Sequence, residues 1–470
     1  MKKTPIVVIG AGPAGLGGAF QLARRGCFDV AVVERDRTVG GNAGSFELAG
    51  LRVDFGSHRL HPSCAPEIMG DIRSMLGGTL LNRPRHGRIR IQRRWVHFPL
   101  KPADLVTHLP LSFAAGVVRD SLRKLGRRGA VADTFESVLE RGLGRTICHS
   151  FYFPYARKIW GLPPVELDAE QARRRVSAGS LGKMLRKVLN AVPGFKRPGA
   201  GRFFYPRDGF GSISEAYAGA ATAAGARLLL ESQVMGLEAG SSGICVQVKR
   251  AGKEEGLFGR QVLSTIPISL LARLMRPAAP APVLDSAAAL RFRSMLLIYL
   301  VLETDRFTEF DAHYFPDAEI AITRLSEPKN YGLAPLPGRT VLCAELPCFQ
   351  TDAVWTATEE QLGNLVKDAL ASSGIPVRHP VSQVAVRRLP QAYPLYTREY
   401  REHFDRIDTW LNGIGGVLTF GRQGLFAHDN THHALAMAYA ANECLDDSGA
   451  LNRARWMEHR AAFQRHVVED

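Results

Sequence analysis

Long hydrophobic runs are missing from this chain. No stretch of about 18 uncharged apolar residues occurs, which excludes a membrane-crossing helix at the level of the sequence. Cysteine is sparse: there are seven in 470 residues, an odd number with no Cys-x-x-Cys spacing. Neither a disulfide framework nor a zinc site has support, and no metal is expected. Internal repeats and low-complexity tracts are also lacking, which sets aside solenoids and linker-rich chains. Acidic residues are outnumbered, 45 Asp and Glu against 60 Lys and Arg, for a net charge of +15. The basic residues gather in 83–95, 119–129 and 173–187. No nucleic-acid-binding motif accompanies them, so nucleic acid is not an expected partner. A solvated basic face, a phosphorylated substrate or an anionic membrane surface remain.

What is present is an ordinary globular composition, 46% hydrophobic and 22% charged, long enough for two domains. The N-terminal MKKTPIVVIGAGPAG has basic residues ahead of an apolar run. That run is too short for a secretory signal, so a cytoplasmic protein is expected. PIVVIG (5–10) reads as a strand buried on both faces of a parallel sheet, and DVAVVE (29–34) as the next one. Between them lie Gly10, Gly12 and Gly15 in Gly-x-Gly-x-x-Gly order, opening a helix that ends at Gly26. Gly10 permits the tight turn, Gly12 lets the backbone approach a pyrophosphate, and Gly15 lets helix and strand pack closely. Glu34 sits where an acidic residue takes a ribose 2′-hydroxyl, which also disfavours a 2′-phosphorylated dinucleotide.

Further along, 61–204 reads as mostly helical, with the basic runs inside it. Residues 209–232 read as a helix and a strand, and 243–267 as a hairpin followed by a strand. A strand is expected at 294–303, a strand into a glycine turn at 415–425, and a small-residue helix at 432–445. Nucleotide-binding pieces therefore fall at both ends and in the middle. The expected architecture is α/β: a Rossmann-like domain from 1–60, 205–270 and 412–470, with a substrate domain from 61–204 and 271–411 interleaved.

A second glycine pair, Gly40 and Gly41, follows Glu34 in RDRTVGGNAGSF. It resembles the motif of FAD enzymes of the amine oxidase and protoporphyrinogen oxidase superfamily. GGNA with FGSHRLH is similar to the UDP-galactopyranose mutase branch, where a Gly-x-His-x-x-His segment lies against the flavin. Gly56, His58 and His61 match it. The implied fold is the FAD domain of the glutathione reductase and p-hydroxybenzoate hydroxylase type, and the implied cofactor is FAD. The resemblance continues in order through Tyr155, Lys158, Trp160 and Gly161, then PRDGFGSISEAYA, then Val234 at the adenine. Arg324 matches the mutase arginine that grips a substrate pyrophosphate. QAYPLYTREY carries Tyr393 and Tyr396, and FGRQGLFAHDNTHH carries Gly421 and Arg422.

The implied cofactor contacts are Gly10, Gly12, Gly15, Glu34, Arg35, Gly41, Asn42, Gly56, Ser57, His58, Val234, Gly421, Arg422, Asp429 and Asn430. The implied substrate contacts are Tyr155, Trp160, Arg324, Tyr393, Tyr396 and His428. His58, His61 and Arg324 are the catalytic candidates, with His428, His432 and His433 as further possible bases. One departure matters. Where the mutases have Tyr-x-Tyr-Tyr-Asp-x-Asp, this chain has Phe426, His428, Asp429, Asn430 and His432. The tyrosine hydroxyls that line the sugar site are gone, so the resemblance implies FAD without fixing the sugar.

Three functions stay open. The first is hydride transfer from a polar anionic small molecule, such as a sugar nucleotide or a glycosylated or phosphorylated natural-product intermediate, to flavin N5. The second is a redox-neutral nucleotide-sugar mutase. The third is a protoporphyrinogen oxidase- or desaturase-like enzyme on a hydrophobic substrate. A flavoprotein scaffold without turnover is the reading from outside enzymology. Residues 99–125 suit either a basic amphipathic helix on lipid or a helix packed in the substrate domain, and the packed reading is preferred. The oligomeric state is left open.

Overall fold

In the computed structural model, which describes residues 3–99, 104, 108–124, 133–176, 201–333 and 336–468, Thr4–Ile9 forms the central strand. It pairs in parallel with Phe28–Val33 on one side and Gln261–Ser264 on the other. Arg227–Leu229 and Val417–Thr419 complete a five-stranded parallel sheet in the order 417–419, 261–264, 4–9, 28–33, 227–229. The strand order reverses at 4–9, so a crevice opens at the carboxyl end of that strand. This is a doubly wound α/β sheet.

Alternation along the central strand explains the layers. Ile6 and Val8 face the helices Pro13–Ala23, Ser212–Ala223 and Thr431–Glu443. Val7 and Ile9 face a four-stranded sheet built on Ser232–Ala239, Ile244–Arg250 and Lys253–Gly259, together with the helices Ile268–Leu274, Ala281–Ala289 and Tyr400–Gly413. Both faces are covered, as a continuous β-branched strand requires.

A second, seven-stranded sheet runs in the order 381–394, 292–302, 340–348, 324–326, 312–314, 87–91, 94–98. Leu296, Ile298 and Leu300 of the long strand Phe292–Leu302 pack on the helix Glu359–Ser372. Met295, Leu297 and Tyr299, on its other face, meet the hairpin Ser45–Leu48/Leu51–Asp54. That hairpin joins the two sheets. Tyr205 and Ser45 donate hydrogen bonds to the buried Asp54 carboxylate at 2.6 Å each, and Phe210 N–H adds a third at 2.8 Å.

The expectation that 61–204 is mostly helical is corrected. Leu80–Pro84, Gly87–Ile91, Arg94–Phe98 and Arg202–Pro206 are strands. Alternating Arg and Ile in RHGRIRI had read as a charge run, but it is a period-two pattern. The hairpin turns at Gln92 and Arg93, both at positive φ, without the Asn or Gly that marks such turns. Among the described residues of this segment, the helices are Pro66–Leu76, Leu111–Lys124, Phe135–Leu143, Phe153–Trp160, Ala169–Arg175 and shorter turns. Leu111–Lys124 packs through Phe113 and Val117, but its other face is open. The basic stretch 177–187 lies outside the described residues. Among the described residues, no helix is long and apolar enough to cross a membrane.

Candidate functional site

The N-terminal glycine loop is shaped by close approach. Gly10 has φ +100°, and a Cβ on Gly15 would sit 1.9 Å from the Gly10 carbonyl oxygen. Gly12 caps the helix Pro13–Ala23 with no side-chain bond of its own, and proline opens the first turn. The free N–H groups of that turn point out of the helix, as an anion site needs. A Cβ on Gly41 would lie 3.4 Å from Gly12 Cα, so the two glycine segments face each other. The Glu34 carboxylate accepts Ala11 N–H at 2.7 Å and Asp36 N–H at 3.0 Å. Both oxygens are oriented and keep lone pairs for a ribose hydroxyl. Val234 follows directly, because Ser232 N–H donates to Glu34 O at 2.8 Å. Arg35 points away, its side chain 72% exposed beside Asp36. Backbone donors, an open crevice and an oriented acid fit a dinucleotide.

At the other end of the crevice, Gly56 holds φ +93°, and Ser57 N–H donates to Glu345 Oε1 at 2.9 Å. His58 turns inward. Its Nε2 lies 2.9 Å from both the Asn42 and Phe55 carbonyl oxygens, so that nitrogen carries the proton. Its ring stacks on Phe210 with centroids 5.3 Å apart. Burial lowers its pKa, so the imidazole is neutral. Asn42 Nδ2 donates to Gln391 O at 3.3 Å. A Cβ on Gly421 would lie 2.8 Å from Ala14 Cβ, which sets the 421–424 turn against the first nucleotide helix. Arg422 donates to Ala392 O at 2.7 Å and lies over Tyr393 at 5.1 Å, while its buried Nε has no partner.

His61 goes elsewhere. It is bonded to Ser63 at 2.6 Å and stacks loosely on His432 at 6.1 Å. The two motif histidines therefore serve different surroundings. His61 joins His432, His433 and His466 around Asp429. His466 Nδ1 is 3.2 Å from Asp429 Oδ1 and His433 Nδ1 is 3.5 Å from it. These three atoms lie within 4.8 Å of one another. Asn430 caps the helix Thr431–Glu443, and its N–H donates to His433 Nδ1 at 3.2 Å. That bond occupies the lone pair a metal would need, so hydrogen bonding accounts for the cluster. Asp429 Oδ2 is buried without a partner, as a carboxylate facing a cofactor hydroxyl would be.

The substrate candidates separate into two groups. Trp160, Tyr393, Tyr396 and His428 form one aromatic wall: His428 lies 5.1 Å from Trp160 and 4.8 Å from Tyr396, and Trp160 lies 5.6 Å from Tyr393. Trp160 is a buried core residue rather than an exposed stacking face. His428 is buried against Gln171 at 3.1 Å. Burial, with Arg175, Arg422 and Arg174 nearby, pushes its pKa well down. Tyr155 lies apart, stacked on Phe151 at 5.9 Å in the cluster of Ile89 and Tyr314. Arg324 bonds Glu345 at 2.7 Å and lies 6.0 Å from the Tyr314 ring.

Several residues here were not anticipated. Arg59 donates to Asp311 at 3.1 Å and to the Tyr331 hydroxyl at 3.2 Å, and Tyr331 is 2.5 Å from Ser57 Oγ. Arg175 lies 5.4 Å from both Trp160 and Tyr393. Glu345 was the readable one: it is a lone acid inside the apolar strand Thr340–Cys348. Lys158 gives its ammonium to the carbonyls of Phe315, Asp317 and Ile322, fixing the loop that leads to Arg324.

Solved structures share this architecture. A reduced UDP-galactopyranose mutase is 19% identical, with a TM-score of 0.79 over 99% of this chain and 100% of that one. A protein from Exiguobacterium sp. 255-15, provisionally described as a protoporphyrinogen oxidase, is 18% identical, with a TM-score of 0.71 over 94% and 98%. Cyclohexylamine oxidase from Brevibacterium oxydans IH-35A is 14% identical, with a TM-score of 0.67 over 97% and 100%. The family model described as flavin containing amine oxidoreductase matches residues 13–419. A glycine loop, an oriented ribose acid and a second glycine pair are what an FAD site needs, and the chain belongs to the flavin-containing amine oxidoreductase family, with FAD as its cofactor.

Proposed function

We propose that this enzyme is a cytoplasmic FAD-dependent oxidoreductase acting on an anionic small molecule, of the sugar-nucleotide or phosphorylated natural-product class. Bound FAD supplies a hydride acceptor at N5. The observation that carries the reading is an excess of guanidinium around one ring. Arg422 at 5.1 Å and Arg175 at 5.4 Å both face Tyr393, and neither has an ion-pair partner among the described residues. Half-buried guanidinium groups of this kind favour an anion beside them.

In this reading Gly10, Gly12, Gly15, Glu34, Gly41, Asn42, Gly56, Ser57, Val234, Gly421, Arg422, Asp429 and Asn430 hold FAD. Arg324, Arg59 and Arg175 hold the substrate's charge and Tyr393 walls its ring, whereas Tyr396, stacked on Tyr400 at 4.0 Å and buried like Trp160, belongs to the core. His58 keeps Nε2–H on two carbonyls, so Nδ1 is its one atom able to take a proton. The 1–60, 205–270 and 412–470 segments form the cofactor unit, and 61–204 with 271–411 the substrate unit.

The test is a titration of the holoenzyme with UDP, read in the flavin absorbance, on wild type and Arg175→Ala. Saturable perturbation that the variant weakens by about tenfold supports a pyrophosphate-bearing substrate. An unperturbed spectrum, or equal binding by both proteins, removes it. Turnover of a bound sugar nucleotide on reduced enzyme with no net oxidation would make the reaction an isomerisation instead.

A further inference from the structure

The helix Leu111–Lys124 carries one face that nothing among the described residues covers. Leu111 is 87% exposed, Val118 60% and Leu122 64%. With exposed Ala115 they sit at i, i+4, i+7 and i+11, which is one stripe on a helix of 3.6 residues per turn. The opposite face is fixed. A Cβ on Gly116 would come 2.6 Å from Thr146 Oγ1. The buried Asp120 accepts Thr146 N–H at 2.6 Å, and Phe113 and Val117 pack in the helical cluster. The helix is thus held against the protein with its apolar stripe outward, at right angles to the usual economy of burial.

Charge identifies what covers it. Asp120 is the single acid in 108–130, and it points inward. Arg119 and Arg123 are exposed along one edge of the stripe, and the sequence continues with Lys124, Arg127 and Arg128. The exposed positions are aliphatic and contain none of the aromatic anchors typical of protein interfaces. A short aliphatic stripe edged with arginine is what a helix lying in a bilayer interface presents to anionic headgroups. Fourteen residues would lie along about 21 Å of that surface.

We propose that Leu111–Lys124 docks this enzyme, reversibly and in the plane of the interface, on an anionic lipid surface. This rests on the helix alone and is independent of the substrate reading. The test is sedimentation of the FAD-loaded protein with unilamellar vesicles, with the pellet read by flavin absorbance. Wild type is expected to pellet with vesicles of equimolar phosphatidylcholine and phosphatidylglycerol. It should pellet about tenfold less with phosphatidylcholine alone, and added salt should release it. The Leu111→Ser/Val118→Ser/Leu122→Ser variant should lose binding with its flavin content and circular dichroism unchanged, since those side chains touch no core. The Arg119→Glu/Arg123→Glu variant should lose it as well, which keeps the test independent of the first variant's folding. Wild type that stays in the supernatant with anionic vesicles overturns the proposal, as does unchanged binding by the serine variant. A wild-type dimer in solution that the serine variant converts to monomer also overturns it, since the stripe would then be an interface between copies.

Discussion

The Arg324 guanidinium and the Glu345 carboxylate stand 2.7 Å apart, and the same Glu345 oxygen accepts Ser57 N–H at 2.9 Å. One acid therefore restrains both the arginine proposed to hold substrate and the turn that carries His58. Replacing it with Gln leaves a buried guanidinium without its counter-charge. Glu345→Gln is expected to lose about 3 kcal/mol of unfolding free energy. An anion should then stabilise the variant more than it stabilises wild type. Thermal unfolding with and without UDP checks this: equal ligand-induced shifts in both proteins would contradict it.

Gly15 admits no side chain. With its Cβ 1.9 Å from a backbone oxygen, Gly15→Ala has to push the helix away from the strand. The expected outcome is a protein purified colourless, with flavin content reduced by at least about tenfold. Glu34→Gln, which keeps the shape, should retain FAD more weakly and still fold.

Lys158 has little to do with charge recognition and much to do with placement. Of its three carbonyl acceptors, Asp317 O keeps a second donor, Ile320 N–H at 3.3 Å, if the ammonium is removed. Lys158→Met keeps the length of the stem but takes the ammonium from the Phe315 and Ile322 carbonyls, for a loss of about 2–4 kcal/mol in chemical denaturation. The Arg324 loop moves with them, so KM for an anionic substrate should rise more than kcat falls. A variant as stable as wild type would contradict this account.

The histidine cluster makes stability depend on acidity. Burial, with His61 and His466 nearby, lowers His432 to about 4. Burial, with His432, His466, His61 and Arg174, lowers His433 to about 2. Both are free to protonate near 6.5 when unfolded. The unfolded chain then binds more protons at any pH between each folded value and about 6.5, so stability is full above that range and falls as pH drops through it. The denaturant midpoint should decline steadily below about pH 6.5, and His432→Gln should make the decline shallower. A flat profile over that range would count against the buried neutral assignment.

What could be read from the sequence was what backbone geometry forces. Gly15 is glycine because another backbone lies too close, and Gly10 and Gly41 because they hold positive φ; such positions announce themselves by spacing. Glu34 is likewise fixed by a strand end. The seven-stranded sheet was harder, because Gly87–Phe98 hides its alternation among arginines and turns without glycine. Side-chain direction was harder still. His58 and His61 look equivalent three residues apart, yet one turns to the Asn42 carbonyl and the other to Ser63. Trp160 matched a motif but is held inside the helical cluster. Arg59 carried no signal and Arg175 only that of the basic run 173–187, since their roles depend on Asp311, Tyr331 and Tyr393, which are distant in the chain.

The central strand Thr4–Ile9 pairs with Gln261–Ser264, which in turn pairs with Val417–Thr419, and the first helix rests on Thr431–Glu443. Roughly a third to nearly the whole of the polypeptide separates these partners. Such contacts close late and slowly. On the ribosome, the glycine loop emerges first and waits for its sheet until the last tenth or so of the chain has been made. A chain cut short before residue 417 would keep every one of the N-terminal motif residues and still have no finished crevice to close on FAD.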